Sequence, residues 1–472
     1  MAAPGARMTP ATLPAAAPPA DPATVRPVPP YPDQAYAWYV VVVLLLAYII
    51  AFIDREIINL LVPDIKASLG INDTQMSLLM GGAFAIFYTF FGLLIAWFAD
   101  RGNRRALLFA GIIFWSLATM TCGFAVTFPL LFFARVAVGA GEATLNPCAL
   151  SMLKDYFPPD KVGRAIGLYT AGVSSGLGIA SIIGGMIYPT LRAAGPVEWP
   201  LIGVLEPWQQ MFVWVGAPGI LVGLLLLTVR EPARREFVET GRKTEASSLW
   251  ATFAHVFKRW RAFILLFLAL SGLAIMAYGV GSWTPEFLRR TYQLSDVEYG
   301  YWLQVRGYVS IASGLVGVMV GGWLCDVFQK RYEDGYVRVC LGSFVFLAIG
   351  YCAFVLMPTP AMAVAMLVPA TLGAAAPTAA GAAAVVAIAP PSMRSQCIAM
   401  YYFVLNAIGF FVGPTSVALL TDYVFGDESM LRYSMFVVAA VVSIGGALLL
   451  TWCLPHFRAA VREARTWTAQ GA

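Results

Sequence analysis

YIIAFIDREIINLLVP, residues 48–63, is an apolar stretch broken at its middle by Asp54, Arg55 and Glu56. With the apolar residues before it, it is long enough to cross a bilayer as a helix. One ionisable side chain at mid-membrane costs roughly 2.5–3.5 kcal/mol on insertion scales, so such groups face a water-filled cavity or opposite charges inside a bundle. The stretch therefore predicts a polytopic helical bundle with an internal polar site and partners for its charges.

Composition agrees. Hydrophobic residues make up 59% of the chain and charged residues 12%, and a mean hydropathy of +0.73 describes a chain that would be insoluble as a globule. Seven cysteines, at 122, 148, 325, 340, 352, 397 and 453, lie almost entirely in apolar segments without a CxxC pair. They read as packing residues, and neither a disulfide framework, a metal site nor a cofactor is expected. His255 and His456 fall in polar flanks and leave little material for imidazole catalysis. The net charge of +5 follows from membrane topology rather than nucleic-acid binding.

Residues 1–36 are rich in Pro and Ala, with no apolar run behind a basic start, and read as a disordered cytoplasmic tail rather than a signal peptide. Beyond them, apolar segments follow near 37–65, 75–99, 105–124, 129–155, 162–189, 209–229, 262–288, 298–326, 338–357, 361–388, 394–421 and 432–454. The expected fold is all-α, with twelve transmembrane helices. Most Lys and Arg fall in the tails and in the loops at 100–105, 154–164, 230–261, 330–338 and 394, which places both termini in the cytoplasm. The Asn72-Asp73-Thr74 sequon lies too near a helix start for glycosylation to be expected.

The segment 230–261 divides the chain into six-helix halves, 37–229 and 262–454, with a C-terminal tail at 455–472. Within it Leu249, Phe253, Phe257 and Trp260 recur at helical spacing after Ser247 and Ser248. They predict either a short amphipathic helix on the membrane surface or an extension of helix seven.

The halves repeat one another. AWFADRGNRR, residues 96–105, follows helix two, and GWLCDVFQKR, residues 322–331, follows helix eight, each with an Asp four residues before a basic pair. FPPDKVGRAIGLY precedes helix five as APPSMRSQCIAMY precedes helix eleven, and the two helices carry GLGIASIIGG and IGFFVGP, whose small residues let helices approach closely. With twelve helices as two sixes, these motifs resemble the major facilitator superfamily over essentially the whole chain beyond the N-terminal tail. FIDRE (52–56) in helix one and ARVAVGAGEA (134–143) in helix four resemble the spinster-like branch of lysolipid and sphingolipid transporters. Asn103 stands where the superfamily loop has Gly, and Ala180-Ser181 replaces the Gly-Pro of the helix-five pattern that often accompanies antiport.

Arg135 and Glu142 lie seven residues apart on one face of helix four, about 10 Å along the axis, with Asp54 and Arg55 at a depth between them. The resemblance implies that helices one, four, seven and ten line a central cavity, which would join the four charges in one cluster. Either a static pair, Asp54 with Arg135 or Arg55 with Glu142, or a site whose charges change partners fits the spacing. The spinster resemblance implies Asp54 and Glu142 as protonatable groups, with Arg55 and Arg135 as their partners or as substrate-anion binders.

The second half offers one deep charge, Arg306 in helix eight, the run GAAAPTAAGAAAVVAIA in helix ten, Tyr278 and Trp283 in helix seven, and Tyr401, Tyr402 and Asn406 in helix eleven. Close packing explains the Ala/Gly run and the aromatics as well as a substrate-facing wall does. The substrate-binding set is Arg55, Arg135, Arg306, Asn146, Tyr401 and Tyr402. The resemblance implies a gating role for Asp100, Arg104, Arg105 and Asp155, with Asp326, Lys330 and Arg331 as their counterparts in inter-helix ion pairs.

Together these readings describe a secondary transporter, not an enzyme. It would act as a monomer, in a bacterial inner membrane by its short loops, moving an anionic amphiphile together with protons. A carrier of small organic anions is the alternative. No Ser/His/Asp set, His/Cys cluster or phosphate-cradling loop supports an enzyme, and the paired gates argue against a channel.

Overall fold

The computed structural model describes residues 30–85, 88, 92, 95, 98, 99, 101–200, 203–235 and 249–469. Among them, eleven helices are long and apolar enough to cross a membrane. They are α1 (Gln34–Leu60), α3 (Arg104–Cys122), α4 (Phe128–Tyr156), α5 (Pro159–Ala194), α6 (Pro207–Leu226), α7 (Trp260–Tyr292), α8 (Asp296–Arg331), α9 (Gly335–Leu356), α10 (Pro360–Ile388), α11 (Pro391–Phe425) and α12 (Glu428–Arg465). The twelfth, α2, starts at Asp73 and is described in part. The fold is thus twelve transmembrane helices in two pseudo-symmetric bundles, one integral multi-pass membrane protein.

Local chemistry sets the helix ends. Asp33 caps α1 by accepting from the Ala35 N–H, and Pro63 opens the short outer helix Val62–Leu69, which Gly70 ends in the left-handed region at φ 63°. Asn72 and Gln75 form a capping box at the start of α2, so the sequon asparagine is spent on the backbone. Asn103, in place of the superfamily glycine, accepts from the Ala106 N–H and caps α3. A two-stranded antiparallel hairpin, β1 (Val197–Trp199) with β2 (Gly203–Leu205), joins α5 to α6. It departs from the all-α expectation, and Gly203 at φ 98° supplies its turn geometry.

The packing repeats under a shift of six helices. α1 packs on α5 and α6 as α7 packs on α11 and α12, and α3 packs on α4 and α6 as α9 packs on α10 and α12. The halves meet where α5 crosses α8 and where α2 crosses α11. Glycine makes both crossings close: a Cβ on Gly185 would run into the Gly300 carbonyl, one on Gly178 into the Gly307 carbonyl, and one on Gly81 into the Phe410 carbonyl. A single-turn π-helix at Leu78–Gly82 lies at that second crossing, and another at Met276–Val280 lies in α7.

The linker is described to residue 235 and again from 249, so Ser247 and Ser248 lie outside the described residues. A separate linker helix, Leu249–Lys258, follows. Arg259, at φ −109° and ψ 37°, breaks it from α7.

Candidate functional site: a charged, aromatic-lined centre between the halves

Of the four charges expected to cluster, Arg55 and Glu142 pair with each other. The Arg55 guanidinium donates to Glu142 at 2.6 Å and lies 4.2 Å from the centroid of the Phe84 ring, 4.9 Å from Phe52, 5.3 Å from Phe410 and 5.4 Å from Tyr88. Tyr278 stacks on Phe410 at 3.9 Å. Arg55 is therefore an ion-paired cation inside an aromatic enclosure built from α1, α2, α7 and α11, where cation–π attraction adds to the pair. Gly139 admits this arrangement, because a Cβ there would strike the Phe84 backbone.

Arg135 is fully buried but is not an ion-pair partner of Asp54. It donates to the carbonyl oxygens of Asp54 at 3.2 Å, Leu79 at 3.3 Å and Arg55 at 3.5 Å. Of the two static pairs left open by spacing, only Arg55–Glu142 forms, because Arg135 spends its donors on the backbone of α1 and α2. That use makes Arg135 a tie between the backbones of α1 and α2. Asp54 is fully buried, faces Thr119 and Trp115 of α3, and has no ion-pair partner among the described residues. Oε1 of Glu142 has no hydrogen-bond partner among them.

Arg306 crosses from the second half. It pairs with Glu56 at 3.0 Å and donates to Ser181 and to the Gly281 carbonyl, while Asn59 donates to Glu56 at 2.9 Å. Glu56 was visible in the FIDRE motif, but its partner lies 250 residues away and no spacing rule connects them. A narrow recess at the boundary of the halves is lined by Arg55, Glu56, Asn59, Tyr278, Ser282 and Phe410, among others. Asn146 borders the centre, donating to Tyr88 at 3.2 Å and accepting from Tyr169 at 2.8 Å. Tyr401 is instead buried in the second half beside Phe267 and Gly381, and Tyr402 is partly exposed beside it. The structure does not bring these two tyrosines to the charged centre.

At the end of the bundle that carries the termini, Arg104 is buried and pairs with Asp155 of α4 and with Glu231, and it donates to Ser151 at 2.9 Å and the Pro232 carbonyl at 3.0 Å. The Arg105 N–H donates to Glu231 at 2.8 Å. Asp100 lies outside the described residues. Asp326, Lys330 and Arg331 are not the counterpart that the repeat implied. They stand exposed on the uninterrupted last turns of α8 and make no ion pair among the described residues. Asp334 takes that place, paired with Arg338 at 2.8 Å and Arg458 at 2.7 Å.

The distal end holds a network that sequence reasoning missed. Asp73 is fully buried and receives Arg290 at 2.7 and 2.9 Å, with Lys66 alongside, and Lys66 reaches Glu428 at 2.7 Å. Thr74 donates twice to Asp422. Arg192 bridges Asp64 and Asp296, and Arg289 reaches Asp296 and Tyr188. Most of these contacts join the two halves, so the distal end is closed. Short outer loops with mixed charge read as solvated, and only the fold shows that they meet.

A profile of the Major Facilitator Superfamily matches residues 44–333, and the chain belongs to that superfamily. It is a spinster-like transporter within it, not an enzyme. It is 25% identical over 449 residues to protein spinster homolog 1 of Xenopus laevis, covering 89% of this chain and 81% of that protein. It is 26% identical over 440 residues to an MFS-type efflux pump of Mycolicibacterium smegmatis, covering 91% and 95%. A probable L-galactonate transporter of Escherichia coli is 24% identical over 336 residues, covering 69% and 70%. Among solved structures, a bacterial homolog of the human lysosomal transporter spinster, in an inward-facing and unoccupied conformation, superposes with a TM-score of 0.73 at 27% identity, covering 91% of this chain and 98% of that one.

Proposed function

We propose that this protein is a proton-coupled secondary transporter of an anionic amphiphile, of the lysolipid or sphingoid class. It acts as a monomer in a bacterial inner membrane with both termini in the cytoplasm. The observation that carries the reading is Asp54, buried without an ion-pair partner among the described residues and one residue from an Arg55–Glu142 pair in an aromatic enclosure. An isolated ionised carboxylate is costly in such a place, and a bound proton removes the cost. Proton uptake by Glu142 would free Arg55, and Arg55 with Arg306 would receive the substrate's anionic head while Phe52, Phe84, Tyr278 and Phe410 contact its apolar part. The closed distal network supports access from the termini end in this conformation. Rocking of the halves about the α5–α8 and α2–α11 crossings would exchange that access, with the Arg104–Asp155–Glu231 cluster as the gate at the termini end.

A second reading, a carrier of small organic anions, is favoured by the galactonate transporter among the relatives. Binding of an anionic lysolipid panel and of a sugar-acid panel to purified protein separates the two. The first reading requires lysolipid binding that weakens in Arg55→Gln and is not competed by sugar acids. Binding of sugar acids alone would sink the lipid assignment and leave the superfamily assignment standing.

A further inference from the structure

Between the linker helix, the start of α7 and the end of α12 lies a recess lined by Lys258, Arg259, Trp260, Arg261, His456 and Glu463, outside the central site. Arg259 pairs with Glu463. Lys258 and Arg261 are exposed and have no ion-pair partner among the described residues, so the recess keeps an excess of positive charge.

Its height in the membrane is marked by aromatic side chains. Trp260 and Trp452 are both exposed and meet edge to face at 6.2 Å, and exposed tryptophans of a membrane protein concentrate at the headgroup boundary. His456 lies one turn beyond Trp452 on α12, and Lys258 and Arg261 flank Trp260, so the cations sit at headgroup level. The linker helix presents a matching face. Thr252 and Val256 are buried against the bundle, whereas Trp250, 82% exposed, with Phe253 and Phe257 forms an outward stripe. An outward aromatic stripe on a helix tied to the bundle is placed to lie in the lipid boundary.

We propose that this recess docks the phosphate-bearing headgroup of an anionic phospholipid from the adjoining leaflet. The acyl chains run along the Trp260–Trp452 pair, and the lipid pins the linker helix to the second half. Lys258 and Arg261 supply the charge complementarity, and the aromatic stripe covers the chains. The inference depends on the chain being a membrane protein and not on what the central site carries.

Native mass spectrometry of the full-length protein, titrated with phosphatidylglycerol or phosphatidylcholine, tests it. Each basic side chain near an anionic lipid surface contributes about fivefold in affinity, so wild type should retain phosphatidylglycerol over phosphatidylcholine by roughly tenfold or more, falling as salt is raised. Lys258→Gln/Arg261→Gln should bring the two lipids to parity. Arg462→Gln/Arg465→Gln, which removes cations that pair with Glu333 elsewhere at the same end, should leave the preference intact. Parity in wild type, a preference that survives loss of Lys258 and Arg261, or equal loss in both double variants would overturn the proposal. So would displacement of the lipid by millimolar glycerol 3-phosphate, which would make the recess a site for soluble phosphates. Should the Lys258/Arg261 variant fail to survive extraction, the wild-type ratio and its salt dependence decide alone.

Discussion

Replacing Arg290 with Gln should open the distal end. Asp73 is fully buried and takes two hydrogen bonds from Arg290, at 2.7 and 2.9 Å, with Lys66 as its other partner. A hydrogen bond to a charged group contributes about 1.5–3 kcal/mol, and removing one member of a buried pair costs about 3–5 kcal/mol because the other charge is stranded. Lys66 remains, and the Arg290 side chain is 13% exposed, which places the loss nearer about 2–3 kcal/mol. Arg290 belongs to the second half and Asp73 to the first, so the loss falls on the closed state alone. About 2 kcal/mol shifts the ratio of closed to open by roughly 30-fold. Spin labels at Ser68→Cys and Ser429→Cys, both exposed and on opposite halves, read this by pulsed electron paramagnetic resonance, with the partly buried Cys352 replaced by Ser. The variant should gain a longer-distance population, and Asp73→Asn added to it should restore part of the closed one, since the carboxylate stranded between the halves is then neutral, while Glu286, the other buried partner of Arg290, lies in the same half as Arg290 and is affected in both states. An unchanged distance distribution in Arg290→Gln would refute the reasoning.

The same label pair should respond to acid. Burial alone would lift the Asp73 carboxyl, but the hydrogen bonds and charges of Arg290 and Lys66 outweigh it and hold the group below the usual carboxylate range. A lowered native value means that the latch contributes fully above the unfolded value near about 4 and is lost as pH falls through the native one. Distances should therefore hold from pH 8 to 5 and lengthen only in stronger acid; lengthening on going to alkaline pH would contradict this. Gly185→Val should lower thermal stability by about 1–3 kcal/mol, because its Cβ would meet the Gly300 carbonyl and Leu303, and an unaltered melting curve in detergent would mean that the α5–α8 crossing is looser than described. Arg104→Gln should cost about 3–5 kcal/mol by stranding Asp155 and Glu231, and Arg104→Lys should recover only part, since a lysine cannot reproduce the fork that also reaches Ser151 and the Pro232 carbonyl. Equal melting of the Lys variant and wild type would show that the fork is not needed.

The helix pattern and its duplication were legible because both are local. Runs of about twenty apolar residues announce membrane helices, and the paired motifs at 96–105 and 322–331 announce the repeat. Counting residues places Arg55 at a depth between Arg135 and Glu142, and the structure pairs it with Glu142. Counting could not show that Arg135 turns to backbone carbonyls, since a buried arginine has five donors and a carboxylate is only one way to satisfy them. Nor could it join Glu56 to Arg306 or Asp73 to Arg290, pairs that exist only because the halves dock. The second copy of the loop motif misled for a related reason. Helix α8 continues through Arg331, which leaves Asp326, Lys330 and Arg331 on an exposed helical surface, and the pairing role falls to Asp334 in the turn beyond.

The claim at the centre of this account is that substrate and protons move together through the Asp54–Arg55–Glu142 centre. Its most direct test is proton flux into proteoliposomes, recorded with a trapped pH-sensitive dye on addition of an anionic lysolipid, for wild type, Asp54→Asn and Glu142→Gln. The account predicts lysolipid-dependent flux in wild type and none in either variant, with both variants still folded. Flux of wild-type size in both variants, or lysolipid uptake by wild type without proton movement, would contradict it.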